Sequence, residues 1–228
     1  MTKQYIKNLS KKYADHFNDK AYVNSFLVGL ALFAASLVVN FYATTYATEV
    51  ASNYVTDIVL SNTRVFDVDG LFVYGPVFMW VFVILLLLHW PKKINFAIKS
   101  IALFVLIRSV FIATTHLGPF PTQMKIDNLS ILSKLVNGED YFFSAHTGLP
   151  FLLALLFWDD IYLRILFIFA SVFFGAVVLL GHLHYSIDVL SAFFITYTIY
   201  RIAASLFKKD CIDFHDETEN ININEKEN

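Results

Sequence analysis

The chain has 228 residues, of which 57% are hydrophobic, 17% aromatic and only 16% charged, whereas soluble domains carry about a quarter charged residues. That composition excludes an ordinary soluble domain. A formal net charge of -2 points neither to nucleic acid as a partner nor to an acidic solvating tail. The single cysteine, Cys211, has no second cysteine with which to close a disulfide.

Residues 1–22 are polar and lysine-rich, and Ile6, Leu9, Tyr13 and Phe17 fall on one face of a helix. They predict an amphipathic helix lying on a membrane surface. Apolar blocks follow at 23–46, 71–90, 94–116, 142–158, 165–183 and 187–207. The first is too long for a signal-peptide core, and a span needs about 20 residues to cross roughly 30 Å of hydrocarbon. The expectation is an all-helical membrane domain of six spans over 23–207. The second and third spans form a hairpin turned at Pro91-Lys92-Lys93. The polar tail, 208–228, is read as disordered.

Lysine and arginine stay on the cytoplasmic side of membrane proteins. With the N-terminus inside, Arg64, Lys125 and Lys134 alone lie outside and Arg108 lies within the third span; the other cations, of 17 in all, fall inside or at that boundary. Both termini are therefore expected in the cytoplasm. Arg108, His116, His146, His182, His184 and Asp188 all approach the opposite, non-cytoplasmic half. An ionisable group within a span is costly and is a functional candidate by default. At about 1.5 Å per residue, Arg108 rises roughly 21 Å above Ile94 and His146 roughly 18 Å above Trp158, so the two reach similar depths.

Gly138 to Pro150, GEDYFFSAHTGLP, leads into the fourth span. Proline is tolerated in a helix's first turn, which predicts a helix starting near His146. Ser144, Ala145 and His146 would then offer a hydroxyl, backbone amides and an imidazole to a phosphate held at a helix N-terminus. Gly181 to Val189, GHLHYSIDV, joins the last two spans. If the sixth helix has begun by His184, Asp188 lies one turn on and on the same face. An aspartate that takes the proton of one imidazole nitrogen leaves the other as a nucleophile, able to attack phosphorus. A second histidine can serve as acid and base, and His146 suits that role.

These segments resemble the second and third signature motifs of the type 2 phosphatidic acid phosphatase (PAP2) superfamily, and within it the sphingomyelin synthase branch. The likeness runs through DYFFSAHT, HLHYSIDV and RSVFIATTHLGPFP, about half of the chain. It implies a six-helix PAP2-like bundle, with His184 as nucleophile, Asp188 as its orienter and His146 as acid and base. It implies a phosphohistidine intermediate and a site on the non-cytoplasmic face. The sequence departs from the family pattern at Ala145, where glycine is usual. The superfamily's first motif is absent, since eight residues separate Lys99 from Arg108 and Ser109 follows.

The resulting expectation is a lipid phosphotransferase, needing no cofactor or metal. It moves a phospho-headgroup from a phospholipid to ceramide or diacylglycerol. The alternatives are a lipid phosphate phosphatase with water as acceptor and a catalytically silent lipid-binding protein. Arg108, Ser144, Ala145, Asp140 and Lys125 are the candidate substrate-binding residues. Asp140 and Glu139 either cap the fourth helix or attract a cationic headgroup, and His116 and Lys125 are either solvated or contact a headgroup. His182, on a different face from His184, is expected to support rather than react. Tyr185, Phe142 and Phe143 are expected at the membrane interface. A zinc site at His182, His184 and Asp188 has too few ligands. Asn128-Leu129-Ser130 forms a glycosylation sequon.

Overall fold

A bilayer core offers no hydrogen-bond partners, so a run that crosses it must close its own backbone bonds, as helices do. The structure, a computed structural model, describes residues 2–124 and 142–216, and of 2–8 the backbone alone. In chain order the helices are α1 (Thr2–Asn18), α2 (Lys20–Glu49), α3 (Ile58–Asn62), α4 (Asp69–His89), α5 (Pro91–Thr114), α6 (Ala145–Leu156), α7 (Ile161–Leu180) and α8 (Ser186–Leu206). Residues 208–216 add a further helical segment, α9. The described residues contain no strand. Five helices, α2, α4, α5, α7 and α8, are long and apolar enough to cross a membrane. Their exposed residues include Phe41, Phe78, Leu85, Phe169 and Phe194, an apolar surface of the kind lipid covers.

The expected surface helix ends at Asp19, whose carboxylate accepts from Ala21 N at 2.8 Å and so starts α2. Phe17 closes this corner edge-on against Tyr22 and Phe26. The break between α4 and α5 falls at Trp90, not at Pro91-Lys92-Lys93. Pro91 is the first residue of α5, where a missing N–H costs nothing, so the two lysines continue the helix. Nor do α4 and α5 form a closely packed hairpin, because α5 packs chiefly on α2. The buried residues of α2 are Gly29, Ser36, Ala43 and Ala47. The first three are spaced by seven, a seam of small side chains that lets two backbones approach.

The core is aromatic and leucine-rich, with Phe96, Phe104, Phe143, Leu152, Leu156 and Phe167 essentially inaccessible. Gly148 makes room in it for α6, since a Cβ there would lie 2.8 Å from the Phe104 ring and 2.9 Å from Thr196 Oγ1.

The segment read as a disordered tail is helical over 208–216 and closes one end of the bundle. Its anchor is Phe214, 1% exposed and packed on Phe96 and Phe157. Lys93 Nζ donates to Phe214 O at 2.6 Å and sits over the Phe214 ring. Lys99 Nζ, buried inside α5, pairs with Asp210 Oδ2 at 2.6 Å and donates to Ser25 Oγ at 2.7 Å. The order has two causes: burial of a phenylalanine, and a carboxylate that satisfies a lysine which would otherwise be buried unpaired. Tyr13 and Tyr22 bond to Leu88 O and Pro91 O, so α1 and α9 share this end. Residues 51–68, 115–124 and 181–185 meet at the other end, as the bonds of Ser52 to His116 and Phe66 to Leu180 show.

Helix α6 is the exception to the spanning lengths, with 12 residues, about 18 Å against a hydrocarbon core of roughly 30 Å. It nevertheless links both ends. Ser144 at its start bonds to Asp188, and Phe157 just past its end touches Trp90 and Phe214. The start of α6 therefore lies level with the third residue of α8, about 3 Å along that helix from its start.

Candidate active site

Ser144 occupies the N-cap of α6 but makes no side-chain cap bond. Its N–H donates to Asp188 O at 3.2 Å, so this amide is committed to the neighbouring helix rather than offered to an anion as expected. Its buried Oγ has no partner among the described residues. Ala145 opens the helix, and Pro150 falls in the second turn, not the first. Its missing N–H deprives the His146 carbonyl of the usual helical donor. The His146 ring is stacked on Phe72 of α4, with centroids 4.2 Å apart and planes at 17°. Its Nε2 lies 3.3 Å from Phe72 O. A carbonyl only accepts, so Nε2 donates, and the neutral ring keeps its lone pair on Nδ1.

The last two spans join through Gly181 to Tyr185. His182 takes a φ of 53°, a left-handed conformation uncommon for a residue with a Cβ. Its ring is fixed on both sides, Nδ1 at 2.6 Å from Thr122 Oγ1 and Nε2 at 3.2 Å from Thr63 Oγ1. Burial pushes its pKa down, against a smaller upward influence from Asp57. Helix α8 starts at Ser186 with Tyr185 as N-cap, later than the i,i+4 reading of His184 and Asp188 required. The pair forms by another route. Asp188, third residue of the helix, folds back so that Oδ2 accepts from Tyr185 N at 3.0 Å and lies 3.4 Å from His184 Nδ1. The second distance is long for a hydrogen bond, as catalytic contacts often are before substrate tightens them.

Asp188 thus ties the site together. Its carbonyl holds the start of α6 and its carboxylate holds the start of α8, each beside one histidine. Asp188 is fully buried, and its Oδ1 has no partner among the described residues. The rings of His146 and His184 are neighbours, with centroids 6.5 Å apart and planes at 56°. Arg108, 5% exposed, donates from Nε to Phe143 O at 2.8 Å. It therefore reaches the level of the start of α6, as depth counting predicts, with its charge near His146.

Other expected site residues are placed differently. Lys125, Asp140, Glu139 and the sequon at Asn128 lie outside the described residues. His116 is exposed and packs edge-on against Tyr46. Phe143 and Tyr185 are buried, not interfacial: Phe143 meets Phe104 and Phe111, and Tyr185 donates to Gly118 O at 2.8 Å. Phe142 is partly buried against Phe111.

Two positioning residues escaped the sequence reading. Phe72 sits in an apolar run where nothing marks it as the surface on which His146 stacks. Asp57 accepts from the N–H and hydroxyl of Ser186 at 2.7 and 2.8 Å, and from Val59 N and Leu60 N. Burial acts to raise its pKa, but the bonds from Ser186, Leu60 and Val59 outweigh it and hold the carboxyl below the usual aspartate range. Asp57 before the short apolar run of α3 is an N-cap signal, legible in principle.

No curated protein matches the chain, and no solved structure matches it. Residues 138–205 match the family model described as PAP2 superfamily C-terminal, and in this stretch, which carries His146, His184 and Asp188, the chain is similar to that superfamily.

Proposed function

We propose that the protein is a lipid phosphotransferase that moves a phospho-headgroup from a phospholipid to a lipid alcohol, ceramide or diacylglycerol, as in the sphingomyelin synthase branch. The observation that carries this reading is the His184–Asp188 pair beside His146, with the two imidazole centroids 6.5 Å apart, inside an apolar bundle. With Nδ1 of His184 held by Asp188, Nε2 attacks phosphorus. A P–N bond forms as the P–O bond to diacylglycerol breaks, and protonated His146 gives its proton from Nδ1 to the departing oxygen. The acceptor hydroxyl then loses its proton to His146 and attacks phosphorus, and the P–N bond breaks. Arg108, the Ser144 hydroxyl and the N-terminus of α6 at Ala145 stabilise the transferring group's charge.

The place of the histidines at one end of an apolar, spanning-length bundle supports a lipid substrate, because a headgroup at the bilayer surface reaches that end while its chains stay in the membrane. The distribution of cations supports both termini in the cytoplasm and the site on the opposite face. With α6 counted as a shortened crossing, the chain has six.

Purified protein in vesicles containing labelled phospholipid and labelled ceramide or diacylglycerol tests the reading. Labelled headgroup on the acceptor lipid supports transfer. Release of free phosphate or phospho-headgroup without a lipid product assigns water as acceptor. Full activity in His184→Ala contradicts the mechanism.

A further inference from the structure

Beside the histidine loop, at the same end of the bundle, lies a cavity of about 660 Å³, within the size range of small-molecule sites. It is built by 51–68 and 120–122, and its wall includes Tyr54, Thr56, Ser61, Thr63, Thr122 and Arg64. Five of these six bring hydroxyls and the sixth a guanidinium with five N–H donors in a fixed fork. None of the described residues lining it is a carboxylate, and Arg64 makes no ion pair among the described residues. The nearby acid, Asp57, is committed to the starts of α3 and α8. A quaternary ammonium is held by aromatic cages or by negative charge; Tyr54 and Phe120 bring two rings to the wall, but a cationic headgroup beside them would meet the Arg64 guanidinium. Thr63 and Thr122 are engaged by His182, and Arg64, Tyr54, Thr56 and Ser61 offer donors and acceptors to a headgroup of several hydroxyls.

The cavity is joined to the histidine loop. Its residues Thr63 and Thr122 hold the two ring nitrogens of His182, two positions before His184. They thereby hold His182 in its left-handed conformation. Its residues Leu60 and Phe120 pack on Tyr185, the residue after His184. The same segment exposes Tyr54, Ile58, Val65 and Phe66, with Ile58 81% exposed. Apolar side chains, Leu60 and Val65 in the wall among them, interleaved with hydroxyls and a cation are arranged as at a membrane interface, so its occupant is presented by the bilayer.

We propose that this cavity is the headgroup subsite of the phosphotransfer centre and that it selects a polyhydroxylated headgroup over a cationic one, with Arg64, Thr63 and Thr122 as the specificity-determining residues. This deepens the reading above and rests on it. His182 is a positioning residue that holds the loop carrying His184 against the occupied subsite.

The experiment uses the full chain in nanodiscs containing phosphatidylinositol, phosphatidylglycerol and phosphatidylcholine. It has two readouts: headgroup turnover, and lipid retained on the detergent-released protein by native mass spectrometry. The wild type is expected to favour the polyol lipids over phosphatidylcholine at least tenfold in kcat/KM and in retention. Arg64→Ala, at an exposed position, and the isosteric pair Thr63→Val with Thr122→Val, are expected to bring both ratios towards one. A preference for phosphatidylcholine, or ratios unchanged in the variants, overturns the proposal. If no donor is turned over, the phosphotransferase reading fails, and retention alone still judges the subsite. Displacement of the retained lipid by an equal concentration of glycerophosphoinositol overturns presentation from the bilayer, and failure to displace it supports that source.

Discussion

Replacing Asp188 with asparagine isolates its effect on His184 from its structural duties. The substitution leaves the backbone bond from Ser144 N untouched, and an asparagine oxygen still accepts from Tyr185 N as Asp188 Oδ2 does at 3.0 Å. Only the 3.4 Å contact to His184 Nδ1 changes in kind. Because Oδ2 takes both contacts, the asparagine oxygen keeps them, its NH₂ falls at the partnerless Oδ1 position, and what is lost is the negative charge that stabilises His184 as it becomes cationic on attack. Loss of one electrostatic stabiliser from an active site costs about 10²–10³ in rate, and a loss of that order in kcat is expected here. Stability should change by no more than about 1 kcal/mol, since the change also removes a buried charge whose Oδ1 has no partner among the described residues. Initial rates of lipid product formation, with a thermal unfolding curve on the same preparation, make the comparison. Activity within tenfold of wild type, with an unchanged unfolding curve, would refute the assignment of Asp188 as orienter.

Phe72→Leu removes the face stacked on His146 at 4.2 Å while preserving bulk. Loss of an aromatic contact worth about 0.5–1.5 kcal/mol should slow turnover about two- to tenfold, with a smaller change in KM, as steady-state kinetics would show. The Lys99–Asp210 pair is buried, at 7% and 12% side-chain exposure. Asp210→Leu should therefore destabilise by about 3–5 kcal/mol, while Lys99→Met with Asp210→Leu recovers most of the loss, read from thermal unfolding. Asp57 has a lowered pKa. Its stabilisation is present above the unfolded-state value of about 3.9 and is lost as pH falls through the folded value. Between pH 5 and pH 3 the wild type should lose more stability than Asp57→Asn, and parallel unfolding curves would contradict this.

The legible parts of the fold were those fixed by local composition. Apolar runs bounded by Asp19, Trp90 and Gly181 mark their own helices, and the extended runs need no knowledge of their neighbours. Features that depend on distant partners were not legible. Within KKDCIDFHDE nothing shows that Phe214 will fill a hole beside Phe96 or that Asp210 will meet Lys99, 111 residues earlier. Phe143 and Tyr185 were misplaced because an aromatic residue near a membrane boundary fits an interfacial belt or a core equally well. The choice was made by Phe104 and Gly118. The two histidines and the aspartate were readable as motifs, but their meeting depended on Asp188 bridging two helix starts. The i,i+4 spacing alone gave the right pair for a different reason.

The central claim is that His184 carries the transferred group. Brief incubation of the protein with headgroup-labelled phospholipid, followed by alkaline quenching and mass mapping, tests it directly. The account predicts an acid-labile, base-stable phosphoramidate on His184, absent from His184→Ala and accumulating when no acceptor is supplied. A label on His146, or headgroup transfer at full rate without any label on His184, would contradict it.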